Sequence, residues 1–144
     1  MANECHLVVP GQLEQLETIR EFVVQAAQQT GLDDRQVFQV QMSVDEACAN
    51  IVEHAYQGTQ GGDIVLHCRW TEDEFTVIIH DYGRPFDPTC VPLPNLSSDL
   101  EARKCGGLGL YFMYEMMDQV RFEFEDARNT LTMVKRIVPN KEVT

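Results

Sequence analysis

A chain of 144 residues with 44% hydrophobic side chains is long enough for one compact domain with a real core, and too apolar to be a disordered chain. Eleven basic against 23 acidic side chains leave a net charge of −12, the wrong sign for direct binding to nucleic acid or to an anionic membrane surface. No apolar run approaches the roughly 20 residues of a membrane helix, no basic leader is visible, and five cysteines without a Cys-x-x-Cys pair predict reduced thiols in a cytoplasmic protein rather than disulfides or zinc.

His6–Val9 reads as a short strand closed by Pro10-Gly11. From about Gln12, the apolar residues Leu13, Leu16, Ile19, Val23 and Ala26 recur near helical spacing, and Gly31 stops that helix. Asp33 or Asp34 caps a second helix whose apolar stripe is Val37, Val40, Val44, Cys48, Ile51 and Ala55. A glycine-rich loop over residues 57–62 precedes two alternating strands, Ile64–Trp70 and Phe75–His80, joined by a turn at Thr71–Glu74. Residues 82 to about 105 hold four of the six prolines and show no period, which marks a long loop of the functional or mobile kind. A helix over Gly107–Met117 follows. A hairpin of Val120–Phe124 and Leu131–Ile137, with its turn at Asp126–Asn129, closes the chain. There is no internal repeat and no dividing linker, so residues 1–144 form a single domain with its core at about 7–137. The order β-α-α-β-β-loop-α-β-β predicts an α+β fold: a two-layer sandwich, with a mostly antiparallel mixed sheet and helices on one face.

Three stretches carry chemistry. On the second helix, 100° per residue puts Glu46, Asn50 and His54 on the side away from Val44 and Cys48. Glu46 and Asn50 are i,i+4 neighbours about 5–6 Å apart at Cβ, the right scale to share one metal–phosphate cluster, and Glu46 then suits a general base. The same pattern also fits an ordinary solvated helix face, and His54 fits a packing role near the helix end. Asp81 closes an apolar strand before Gly83; its carboxylate suits an exocyclic amine such as that of adenine, and Gly83 leaves space for a flat ring. An Asx-type turn ahead of Pro85 explains the same residues. Gly106, Gly107, Leu108 and Gly109 open a helix, where free N–H groups and the dipole seat phosphate. They match neither a Walker loop nor a Rossmann fingerprint. Arg103 and Lys104 lie just upstream, within reach of a terminal phosphate or simply solvated.

In order and spacing these stretches resemble the GHKL (Bergerat-fold) ATPases, and within them the small anti-sigma-factor serine/threonine protein kinases. Glu46-Ala47-x-x-Asn50-x-x-x-His54-Ala55-Tyr56 is similar to the family's N box, Asp81-x-Gly83-x-Pro85-Phe86-Asp87-Pro88 to its G1 box, and Gly106-Gly107-Leu108-Gly109-Leu110 to its G2 box. The resemblance implies ATP and Mg²⁺ as ligands, Glu46 as general base, Asn50 on Mg²⁺, Asp81 on the adenine amine and Gly83 lining the adenine pocket. It implies phosphate contacts from Gly107 and Gly109 beside a lid at roughly residues 86–106, and Thr130 or Thr132 in a polar network near adenine. It further implies a STAS-type anti-anti-sigma protein as substrate, a sigma factor as second partner, and a homodimer through the N-terminal strand and helix. The alternatives are a nucleotide-gated switch without phosphoryl transfer and a partner-binding scaffold with a degenerate pocket.

Overall fold

Ile64, Leu66, Cys68 and Trp70 alternate with Val65, His67 and Arg69. The computed structural model, which describes residues 3–56, 61–84 and 108–137, buries the first set and turns the second to the sheet's other face. They lie on β2 (Asp63–Trp70), which pairs with β1 (Asn3–Pro10) on one side and with β3 (Glu74–Asp81) on the other. β5 (Arg128–Arg136) joins β3, and β4 (Gln119–Glu125) forms the far edge, giving the order β1-β2-β3-β5-β4. All four ladders are antiparallel, so the expected mostly antiparallel mixed sheet is antiparallel throughout its described strands.

Helices cover the face that carries Leu66, Cys68, Phe75, Val77, Ile79 and Met133, as the α+β reading predicts. A short 3₁₀ turn at Leu13–Gln15 leads into α1 (Leu16–Ala27), which buries Ile19, Val23, Ala26 and Ala27, whereas Leu13 stays exposed outside the stripe. α2 (Asp34–Asn50) starts at a capping box: Gln36 N–H donates to Asp33 Oδ1 at 2.8 Å, and Asp33 N–H donates to Gln36 Oε1 at 3.0 Å. Its buried residues are Val37, Val40, Ser43, Val44, Ala47 and Cys48. α3 (Leu108–Met116) packs beside α2 and sends Met113 into the core. The buried Lys135 of β5 donates its ammonium to the carbonyl of Met116, which satisfies an end carbonyl of α3 and sets a cation at the negative end of its dipole. None of the described helices is long and apolar enough to cross a membrane.

Candidate functional site

The second helix departs from its predicted course where the site begins. Its apolar period runs on to Ala55, yet the α-helix ends at Asn50 and Ile51–Ala55 form a π turn, with Tyr56 N–H donating to the Ile51 carbonyl at 3.0 Å. Such widened turns concentrate at functional sites. This one releases the Ala55 carbonyl, which accepts the Arg84 N–H at 2.8 Å and so ties the end of the helix to the chain leaving β3.

Gly83 makes that approach possible. A Cβ at position 83 would lie 2.8 Å from Ala55 Cβ and closer still to its carbonyl, so only glycine lets the two segments meet. The space that the sequence suggested for a ring is therefore taken, on this side, by Ala55. Tyr56 adds a second tie. Its buried hydroxyl donates to the Asp63 carbonyl at 2.6 Å and accepts the Tyr82 N–H at 2.9 Å. Gly11 and Gly62 leave room for its ring, and Gly11 N–H donates to the Gly62 carbonyl at 2.7 Å. The turn after β3, the end of α2 and the entrance to β2 are thus one connected structure.

Asp81 ends β3 inside this structure, 7% exposed. Its Oδ1 accepts the Gly83 N–H at 2.9 Å, in the Asx geometry foreseen for the sequence, and the Asn129 Nδ2–H at 2.9 Å. Its Oδ2 accepts no hydrogen bond among the described residues. Burial pushes the carboxyl above the usual range, against the lowering effect of those two donors and of His80. A buried carboxylate oxygen lacking a donor fits a ligand that brings one, which is what an exocyclic amine does.

Glu46 and Asn50 stand half-buried on the last turns of α2, apart from the core residues Val44, Ala47 and Cys48, as the helical geometry predicts. Burial raises the Glu46 carboxyl, with help from the negative charges of Glu53 and Asp45 and against the opposing effect of His54. Asp45 is itself engaged by Arg20 Nε at 3.2 Å. A carboxylate raised in this way has the basicity that proton abstraction from a hydroxyl requires. His54 is exposed, on the π turn.

Asn129 is the residue that sequence reasoning missed. It is 8% exposed, and its amide donates both to Asp81 Oδ1 and to the Gly83 carbonyl, at 3.0 Å for the latter. Thr130 or Thr132 was expected in a polar network near adenine, and both lie on β5. β5 alternates, so Asn129, Leu131 and Met133 face the helices, while Thr130 and Thr132 line a shallow groove on the opposite face with Arg69, His80, Arg121 and Arg128. Thr130 Oγ1 lies 2.9 Å from His80 Nδ1 there. Leu108 and Gly109 occupy the first turn of α3. Arg103, Lys104, Gly106, Gly107 and the lid expected at 86–106 lie outside the described residues.

With this geometry in hand, comparison with known proteins is specific. Residues 9–135 match the histidine kinase-like ATPase domain family. The chain is 31% identical to the serine-protein kinase RsbW of Halalkalibacterium halodurans, over 90% of this chain and 80% of that protein. It is also 31% identical to RsbW of Bacillus subtilis, over 85% of this chain and 79% of the relative. Identity to the serine/threonine-protein kinase BtrW of Bordetella bronchiseptica is 33%, over 71% of this chain and 72% of that one. A crystal structure of RsbU and RsbW domains from Mycobacterium tuberculosis superposes with a TM-score of 0.68 at 16% identity; it covers 93% of this chain, which spans 32% of that longer one, and it supports the fold alone.

Proposed function

Because the chain belongs to the histidine kinase-like ATPase domain family, we propose that it is an ATP-dependent anti-sigma serine/threonine protein kinase, which phosphorylates a STAS-type anti-anti-sigma protein and holds a sigma factor inactive. The observation that carries the nucleotide reading is Asp81: buried, fixed through Oδ1, and without a donor to Oδ2 among the described residues, where an N–H of adenine would complete it. Gly83 and Ala55 hold the recognition end of the site against the end of the helix that bears Glu46 and Asn50. Similarity to RsbW and BtrW, named as serine and serine/threonine kinases, supports the choice of a protein hydroxyl as acceptor.

In this reading Glu46 takes the proton from the acceptor hydroxyl as it attacks the γ-phosphoryl group, and Asp81 orients the nucleotide through its base. Asn50 would hold Mg²⁺, which when bound would supply neutralisation of phosphate charge. Gly106, Gly107 and Gly109 would offer backbone N–H groups to the phosphates, with Arg103 and Lys104 just upstream in the sequence. The protein works in the cytoplasm as a homodimer.

Incubation with labelled ATP, Mg²⁺ and a STAS-domain protein tests the assignment. Label on a serine or threonine of that protein is expected. Tight nucleotide binding with no transferred label identifies instead the nucleotide-gated switch. A wild-type protein that gains no thermal stability from ATP would defeat both readings, since a ligand bound only by the folded state must stabilise it. Asp81→Asn should shrink that gain strongly.

A further inference from the structure

The register of β1 on β2 sets Cys5 directly opposite Cys68, both on the helix-facing side of the sheet. Directly opposed residues on antiparallel strands hold their Cα atoms about 4.5–5.5 Å apart, inside the range of about 4.4–6.8 Å that a disulfide spans. Cys5 is only partly buried, on a strand at the edge of the sheet, whereas Cys68 and Cys48 are buried. No other described cysteine stands in register with a second one.

We propose that Cys5 and Cys68 are a redox-modification site, forming a reversible disulfide that staples the edge strand β1 to the sheet when a low-molecular-weight disulfide accumulates. The Cys5 sulfur, the accessible one, attacks one sulfur of the small disulfide, giving a mixed disulfide and releasing one small thiol. The Cys68 sulfur then attacks the Cys5 sulfur and displaces the second. Two protein thiols are oxidised, one small disulfide is reduced to two thiols, and the two thiol protons end on those leaving groups. Burial pushes both thiols up, most strongly Cys68, which keeps thiolate scarce and the exchange slow.

The link bears on the site because of what β1 leads into. Pro10 ends the strand, and the next residue, Gly11, bonds Gly62 and seats the ring of Tyr56, whose hydroxyl holds the Tyr82 backbone next to Asp81. A cross-link between residues 5 and 68 also closes a long loop of the unfolded chain, which favours the folded state.

The test treats the folded, reduced protein with oxidised glutathione, blocks free thiols with N-ethylmaleimide and maps unreduced peptides by mass spectrometry. The expected product is a linked Cys5–Cys68 peptide pair two hydrogens lighter than its reduced parts and reversed by dithiothreitol. Tm should rise by several degrees in the oxidised protein, and the rise should vanish in Cys5→Ser and in Cys68→Ala. Recovery of both residues as maleimide adducts, Cys5 stalled as a glutathione adduct, Cys5 joined to Cys90 or Cys105, or a linked pair with no rise in Tm would each overturn the proposal.

Discussion

The end of β3 and the end of α2 each present one carboxylate whose burial raises it, but they are built in opposite ways. Asp81 is clamped: a backbone N–H and a buried amide fix one oxygen, and glycine packing fixes the turn behind it. Among the described residues, Glu46 has no such clamp. Its surroundings are Glu53 and Asp45, which oppose its charge, and His54, which favours it. The contrast teaches that recognition and chemistry make different demands on a carboxyl group. A base-reading acid works best when it is immobile and half satisfied. A general base works best when its proton affinity is raised toward the working pH and its hydrogen bonds tighten once cation and substrate are bound.

Glu46→Gln should break the contrast most severely, lowering phosphoryl transfer about 10²–10⁴-fold while nucleotide-induced thermal stabilisation survives; turnover equal to wild type would take Glu46 out of the chemistry. Gly83→Ala should come next. Its methyl meets the Ala55 backbone, which cannot swing aside as a flexible side chain would, so a loss of about 3 kcal/mol in denaturant unfolding is expected. Asn129→Ala removes one donor from Asp81 and one from the Gly83 carbonyl, and should cost about 1–3 kcal/mol together with weaker nucleotide binding in calorimetry. The smallest effect is in pH. Both Glu46 and Asp81 bind protons more readily folded than unfolded, so stability should decline as pH rises from their ordinary values through their raised ones, then level off. In the Glu46→Gln, Asp81→Asn double variant that decline should flatten, and a curve parallel to wild type would refute the burial argument.

Much of this was legible in the sequence, because most of it is periodic. Strand alternation set which faces of β2 and β3 are buried, and helical spacing separated Glu46 and Asn50 from the core. The break at Asn50 was not legible: no proline or glycine announces it, and the π turn is accompanied by an intrachain bond from Arg84, far along the chain. Asn129 was hidden for a related reason. Composition placed it in the hairpin turn, whereas β5 already begins at Arg128 and pairs Asn129 with Asp81. Local pattern identifies elements; partners across a ladder are fixed only when the strands align.

That alignment has a price for sequence change at a place remote from any ligand. Asp126 and Ala127 alone separate β4 from β5, and consecutive residues 129 and 130 serve opposite sides of the sheet. One residue added to that tight reversal, if absorbed by sliding β5 along β3, would bring Arg128 to the place opposite Asp81 now held by Asn129. Insertion tolerance at 126–127 is therefore coupled to ligand recognition through main-chain pairing alone.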